Sequence, residues 1–192
     1  MDKSFLKFIE LLEKFNSVER VVHIKDSDRW ENDAEHSYQM AMLSWYLIST
    51  KKLKLNLEKT ILLCLVHDLV EAHAGDSFLY DDKKRETKKQ REAEALEKIR
   101  HDHREFAEMS ACIDEYEAET TPEARFVKAI DKFVPVLNIY LDNGRSWKES
   151  GVSLDNILDK KNEPLSASPE LSEIWRDLKT ELTNNSEKYF VK

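Results

Sequence analysis

Apolar residues recur along the chain at three- and four-residue steps, and these stripes lay out a series of helices. Phe5, Phe8, Ile9, Leu12 and Phe15 form a one-sided stripe over residues 4–16, which predicts an amphipathic helix packed on a larger core. Asn32 and Asp33 are candidate N-caps, with Glu35 in capping-box position after Asn32, and Met40, Leu43 and Leu47 mark the inner face of a second helix. Asn56 can cap a third, LEKTILLCLVHDLVEAHA, which is apolar nearly all round from Ile61 to Val70 and stops at Gly75. That pattern predicts the central, most buried helix. Residues 81–104 are highly charged, and Ala93, Leu96 and Ile99 make only the thin stripe of a solvated edge helix. Thr121 and Pro122 supply a cap and a first-turn proline for a helix through Phe126, Val127, Ile130, Phe133, Val134 and Leu137. Another helix is expected after Ser153, and Ser168-Pro169-Glu170 opens a last one carrying Leu171, Ile174, Trp175 and Leu178. The polar stretch between them, DKKNEPLSAS, reads as a loop. The expected fold is an all-α bundle of roughly six to eight helices in a single domain.

Composition supports this picture. Three glycines and four prolines in 192 residues, with 35% charged positions, are the vocabulary of helices rather than of strands and tight turns. The length suffices for one sizeable core. A formal net charge of -8 argues against nucleic-acid and anionic-membrane binding, which need Lys and Arg to neutralise phosphate, although a single phosphate can still be held locally. Cys64 and Cys112 lie in helical apolar patterns and give no disulfide framework. The opening MDKSFLKFIELLEKF lacks the apolar run of a signal peptide, and no run approaches membrane-spanning length, so a soluble cytoplasmic protein is expected.

Several ionisable groups fall on the inner faces of these helices. Glu71 follows His67 by four residues and Asp68 by three, so the three can converge on one side of the third helix. His36 precedes Met40, Leu43 and Leu47 by four, seven and eleven residues, which places it on the apolar face of the second helix. Asp131 lies four residues after Val127 and three before Val134, again facing inward. An ionised carboxylate in such a place costs several kcal/mol unless a cation or several donors compensate it. One divalent ion would serve His36, His67, Asp68 and Asp131 together, and a mixed set of two imidazoles and two carboxylates suits manganese, cobalt, iron or magnesium, with zinc also possible. A di-iron carboxylate bundle needs Glu-x-x-His, and no histidine here has Glu three residues before it. His73 sits about 240° round the helix from His67, off the ligand side. His101 and His103 fall in the charged segment and read as solvated.

The residues ENDAEHS around His36, LVHDLVEAHAGD around His67-Asp68, and FVKAIDK ending at Asp131 together resemble the HD-domain metal-dependent phosphohydrolases. More narrowly, E-N-x-x-E-H-S, then H-D-x-x-E-x-x-x-G-D, then K-x-x-D is similar to the 5'-deoxynucleotidase branch. By this resemblance a family-like core spans roughly residues 5–140 of a single 1–192 domain, with a helical extension over roughly 141–192. The resemblance implies a metal on His36, His67, Asp68 and Asp131, and two further acids, Glu71 and Asp76, that handle the nucleophilic water and the leaving-group proton. It also implies release of phosphate from (deoxy)nucleoside 5'-monophosphates, frequent homodimers, and an arginine before the first ligand that contacts the phosphate, for which Arg20 and Arg29 both stand as candidates. Trp30 is a further candidate, for stacking on a base. Two departures bear on the substrate. SFLYDDKKR follows Gly75-Asp76 where relatives often carry a proline-containing loop, and KFVPVLNIY lacks the acid often found downstream of Asp131. Alternatives are an HD-type hydrolase acting on a cyclic nucleotide, a triphosphate or a guanosine polyphosphate, and a non-catalytic helical module with a structural metal.

Overall fold

The computed structural model describes residues 2–76 and 87–191. Helix α1 (Lys3–Asn16) starts where the Asp2 carboxylate accepts a hydrogen bond from the Ser4 amide, and it buries Leu11 and Phe15. A hairpin absent from the helical reading follows: β1 (Glu19–His23) and β2 (Trp30–Asn32) pair antiparallel, Glu19 opposite Asn32 and His23 opposite Trp30. At five and three residues these strands are too short for an alternating pattern to stand out from the sequence. The hairpin matters because β1 packs on α7 (Pro122–Leu141) and carries Arg20 toward the middle of the molecule.

Helix α2 (Asp33–Lys51) begins with a reciprocal capping box between Asn32 and Glu35. Asn32 is therefore the cap, and Asp33 is the first helical residue, fully buried. Helix α3 (Leu57–Val66) is capped by Asn56 but ends sooner than its apolar run predicts. At the break the His67 imidazole bonds the Cys64 carbonyl through Nδ1 (2.9 Å), occupying an acceptor the helix would otherwise use for its next amide. Tight turns from Leu69 N to Val66 O and Glu71 N to Asp68 O carry the chain into the short α4 (Glu71–Ala74). Residues 77–86 lie outside the described residues, and with them the SFLYDDKKR segment and the start of the charged stretch. The rest of that stretch is α5 (Lys88–Asp102), with Ala95 and Ile99 buried. His101 is exposed, but His103 is buried, edge-on against Phe8 at 5.9 Å, so its reading as a solvated residue is corrected. A contact across to α1 is invisible in the local charge pattern that suggested it.

The central helix is α7, not the predicted α3 segment. Its Ala124, Phe126, Val127, Ile130, Phe133, Val134 and Val136 are essentially inaccessible, whereas Leu62 and Leu65 of α3 stand 36% and 50% exposed. Around α7 pack α2, α3, α6 (Ala107–Ala118) and α9 (Leu154–Ala167), with α8 (Arg145–Glu149) across its end. The stretch expected as a loop, DKKNEPLSAS, belongs almost wholly to α9, which runs through Pro164. A Ser153–Asn156 capping box and the buried stripe Ile157, Lys161, Leu165 hold this helix despite the missing proline N–H. After a turn, α10 (Ser172–Asn184) buries Trp175, Leu178 and Leu182, and α11 (Ser186–Tyr189) closes the described chain. Gly144 (φ +76°) permits the turn from α7 to α8, where a Cβ would run into the Tyr189 carbonyl. The result is an all-α single domain with one small hairpin.

Candidate metal centre and substrate cavity

Three segments deliver the polar groups. The first turn of α2 supplies His36, the break after α3 supplies His67 and Asp68, and the middle of α7 supplies Asp131. One ligand atom from each of the four lies within 4.8 Å of the others. His36 Nε2 is 3.3 Å from Asp131 Oδ1, and His67 Nε2 is 3.0 Å from Asp68 Oδ2 and 3.9 Å from Asp131 Oδ1. Four residues past Asp131, Pro135 lacks the N–H that would bond the Asp131 carbonyl, so α7 loses a hydrogen bond at the site.

These atoms fit a divalent cation on a specific observation. Because His67 Nδ1 donates to the Cys64 carbonyl, Nε2 of the neutral ring presents a lone pair, and that lone pair faces two carboxylates. His67 Nε2 is fully buried and has no hydrogen-bond partner among the described residues. Acceptors aimed at acceptors in a buried place need a proton or a metal ion between them. For His36, burial first and Arg20 next push the imidazole down to about 4 against the pull of Asp131, so the ring is neutral at physiological pH, as a nitrogen ligand must be. Burial alone would also lower His67, but the neighbouring Asp68 and Asp131 outweigh it and raise the group, the response of a site that favours positive charge.

The surrounding acids strengthen that argument. Burial, then Asp68, Asp76 and Asp33, push the Glu71 carboxyl up to about 10, while Lys88 at 3.2 Å acts in the other direction. Glu71 Oε2 is buried and has no hydrogen-bond partner among the described residues. Asp33 and Glu31 are each pushed up to about 7, principally by burial. Arg20 answers part of this crowding: its Nη1 donates to Asp33 Oδ1 (2.9 Å) and Asp68 Oδ2 (2.7 Å). Both Glu31 and Asp33 lie within ENDAEHS, but the sequence assigns neither to the site, since Asp33 reads as a cap and Glu31 is given no role; the arginine that gathers them comes from a hairpin.

A cavity of about 220 Å³ opens beside this cluster. Arg20, Asp68, Glu71, Asp76 and Asp131 line its polar side, and Val136, Trp147 and Ile157 its apolar side. Of the two arginines weighed as phosphate ligands, Arg20 lines the cavity and Arg29 does not. Arg29 is exposed and forks onto Glu35 at 2.6 and 2.9 Å. Trp30 also lies outside the lining: it stacks on His23 at 3.7 Å, and that histidine is tied to Glu149, so the indole serves the hairpin. Among the described residues, the aromatic side chain on the cavity wall is Trp147, stacked on Phe190. His73 is not among the clustered groups.

The model of the HD domain family matches residues 12–175, and the chain belongs to that family. The match continues through α9, well past the end of the family-like core read from the motifs. Among curated proteins, the human protein named 5'-deoxynucleotidase HDDC2 is 31% identical over 70% of this chain and 66% of its own length. The Schizosaccharomyces pombe 5'-deoxynucleotidase hdd1 is 27% identical over 71% of each chain. The chain thus spans just under two thirds of the human relative. A solved structure described as that of a predicted metal-dependent phosphohydrolase from Magnetospirillum magnetotacticum MS-1 superposes with a TM-score of 0.84 at 31% identity, covering 98% of this chain and 95% of that one.

Proposed function

We propose that the protein is a metal-dependent phosphohydrolase that releases phosphate from nucleoside 5'-monophosphates, deoxyribonucleotides foremost. One observation carries this reading: His36, His67, Asp68 and Asp131 turn their ligand atoms toward one another beside an open cavity that also holds two further acids. The names of the curated relatives supply the nucleotide class. A divalent ion on the four ligands supplies Lewis-acid activation of a phosphoryl oxygen and of the attacking water. Manganese, cobalt, iron and magnesium suit the two-nitrogen, two-oxygen set, with zinc also possible.

The remaining work falls to the protein's own groups. Arg20 holds Asp68 and Asp33 through Nη1, and its Nη2, which makes no hydrogen bond among the described residues, binds a phosphoryl oxygen in this reading. Glu71, buried and raised, keeps its proton near neutral pH and gives it to the departing ribose oxygen. Asp76, at the end of the Gly75 turn, orients and deprotonates the attacking water. The apolar wall of Val136, Trp147 and Ile157 receives the nucleoside.

The free thiols Cys64 and Cys112 suit a reducing cytoplasm, and among the described residues no helix is long and apolar enough to cross a membrane. A homodimer is part of the same proposal. Tyr38, Met42 and Trp45 form an exposed stripe on α2, next to Leu62 and Leu65 on α3, a face that a second copy would cover. A single-chain mass in solution at micromolar concentration would remove the dimer.

The function is tested by stripping divalent ions from the purified protein, restoring manganese or cobalt, and following phosphate release from a panel of ribo- and deoxyribonucleoside monophosphates. Release that depends on the added ion is expected. No release from any monophosphate with any ion overturns the reading, and cleavage confined to a cyclic nucleotide or a triphosphate reassigns the substrate.

A further inference from the structure

Lys161 sits in the inner stripe of α9, 9% exposed, between Ile157 at 1% and Leu165 at 0%. A lysine in an apolar stripe is costly unless an anion meets it. Among the described residues it makes no hydrogen bond and no ion pair. Its ammonium is not sealed inside the protein, and the open space it borders is the cavity beside Asp131. Burial disfavours the charge and pushes this group down to about 8; Asp131 acts against that from beyond ion-pair distance, and Lys132 and Arg20 add to it.

Among the described residues, Arg20 and Lys88 on the cavity wall each already meet carboxylates. Arg20 donates to Asp33 and Asp68, and Lys88 lies 3.2 Å from both Glu71 and Glu92. Lys132 is half-buried and also borders a separate hollow formed with the end of α9. Lys161 is therefore the deeply buried cation on the cavity wall whose charge no described carboxylate answers within ion-pair distance. It stands one turn from Ile157 on the apolar wall, and it shares the cavity with Asp68 and Asp131 on the polar side.

We propose that Lys161 is a phosphate-binding residue of this cavity, whose ammonium donates to phosphoryl oxygens of the bound nucleotide. The proposal rests on the phosphohydrolase reading for the identity of the ligand, and it makes α9 part of the active site. A dianionic phosphate offers the charge-assisted acceptors that the buried ammonium lacks.

The test compares the full-length protein, saturated with manganese, with Lys161→Met and Lys161→Arg. Methionine keeps the stem and removes the charge, so the fold is expected to keep or raise its melting temperature. In Lys161→Met, the KM for a nucleoside monophosphate and the inhibition constant of inorganic phosphate should each rise by about 10- to 100-fold, the scale of a lost charge-assisted hydrogen bond. The inhibition constant of the nucleoside, which has no phosphate, should stay within about twofold of the parent on the same argument. Lys161→Arg should recover part of the phosphate affinity. Equal losses for nucleoside and phosphate would show a structural role and overturn the proposal, as would unchanged affinity for both. Calorimetric titration with inorganic phosphate needs no turnover. A parent protein that fails to hydrolyse any monophosphate therefore refutes the hydrolase reading, while the titration still decides whether Lys161 binds phosphate.

Discussion

Asp131→Asn is expected to lower phosphate release by about a thousandfold or more while leaving the helices folded, since loss of a ligand charge removes several kcal/mol of transition-state stabilisation. The carboxylate sits among the buried nitrogens of the site, with Oδ1 at 3.3 Å from His36 Nε2 and 3.9 Å from His67 Nε2. Despite burial, the neighbouring imidazoles, His36 first and then His67, hold Asp131 well below the usual carboxylate range, so it is ionised at any working pH. An asparagine keeps the shape and changes two things. It removes a negative charge, and it can turn an N–H toward the imidazole lone pairs that would otherwise face a cation. The acceptors are then satisfied from within the protein, and the reason to bind an ion is gone. Three measurements follow: phosphate release, manganese binding by calorimetry, and the rise in melting temperature on adding manganese, which should vanish with the affinity. The melting temperature without added ion should not fall, because one of several crowded carboxylates has been neutralised. A variant that binds the ion with parental affinity and hydrolyses at a parental rate would show that Asp131 is not a ligand.

Why some of this site can be read from the chain, and some cannot, follows from the reach of each interaction. His36 and Asp131 are legible because each sits on the apolar face of its own helix at a spacing fixed by neighbours such as Met40 and Val134, a local fact. The His67-Asp68 pair is legible as a motif, but the break at His67 is not, since the apolar run continues past it and only the imidazole bond to the Cys64 carbonyl ends the helix. Asp33 reads as a cap because the arginine that makes its burial tolerable lies across a hairpin too short to predict. For the same reason Arg29, which fits the motif spacing directly, and Arg20, which fits it only with one residue inserted, both stand as candidates in the sequence, and only space separates them. The three strands of argument that fail together, on α3, α9 and His103, all ask a local pattern to decide a tertiary question. Leu62 and Leu65 are apolar yet point outward, Pro164 suggests a loop yet lies in a packed helix, and His103 sits in a charged run yet meets Phe8. Lys161 is the functional cost of the second of these: the spacing Ile157, Lys161, Leu165 becomes a stripe only once the helix is seen to continue through the proline.

Glu71→Gln is expected to lower kcat on a nucleoside monophosphate by about 10²- to 10⁴-fold, the usual contribution of a general acid, and to spare an aryl phosphate. The contrast comes from the leaving group. A departing ribose oxygen is a strong base and needs a proton, whereas a nitrophenolate leaves without one. Were Glu71 instead the base that activates water, both substrates would lose rate alike, and that result would exchange its role with Asp76. Unchanged rates on both would remove Glu71 from the reaction. Its environment favours the acid: burial and the charges of Asp68, Asp76 and Asp33 push it up to about 10, and Lys88 only partly offsets them. The sign follows from that direction. A carboxyl with a raised pKa is protonated below it, so the donor is present at neutral pH and is lost as the pH rises through the raised value. A positive charge on the four ligands shifts that value downward from the one set by the protein groups alone. The parental kcat should therefore fall on an alkaline limb below pH 10, and the Gln variant, which has no proton to lose at this position, should lack the limb. Glutamine keeps the size of the side chain and can donate an N–H, but it cannot transfer a proton, so binding of the monophosphate should survive while turnover does not.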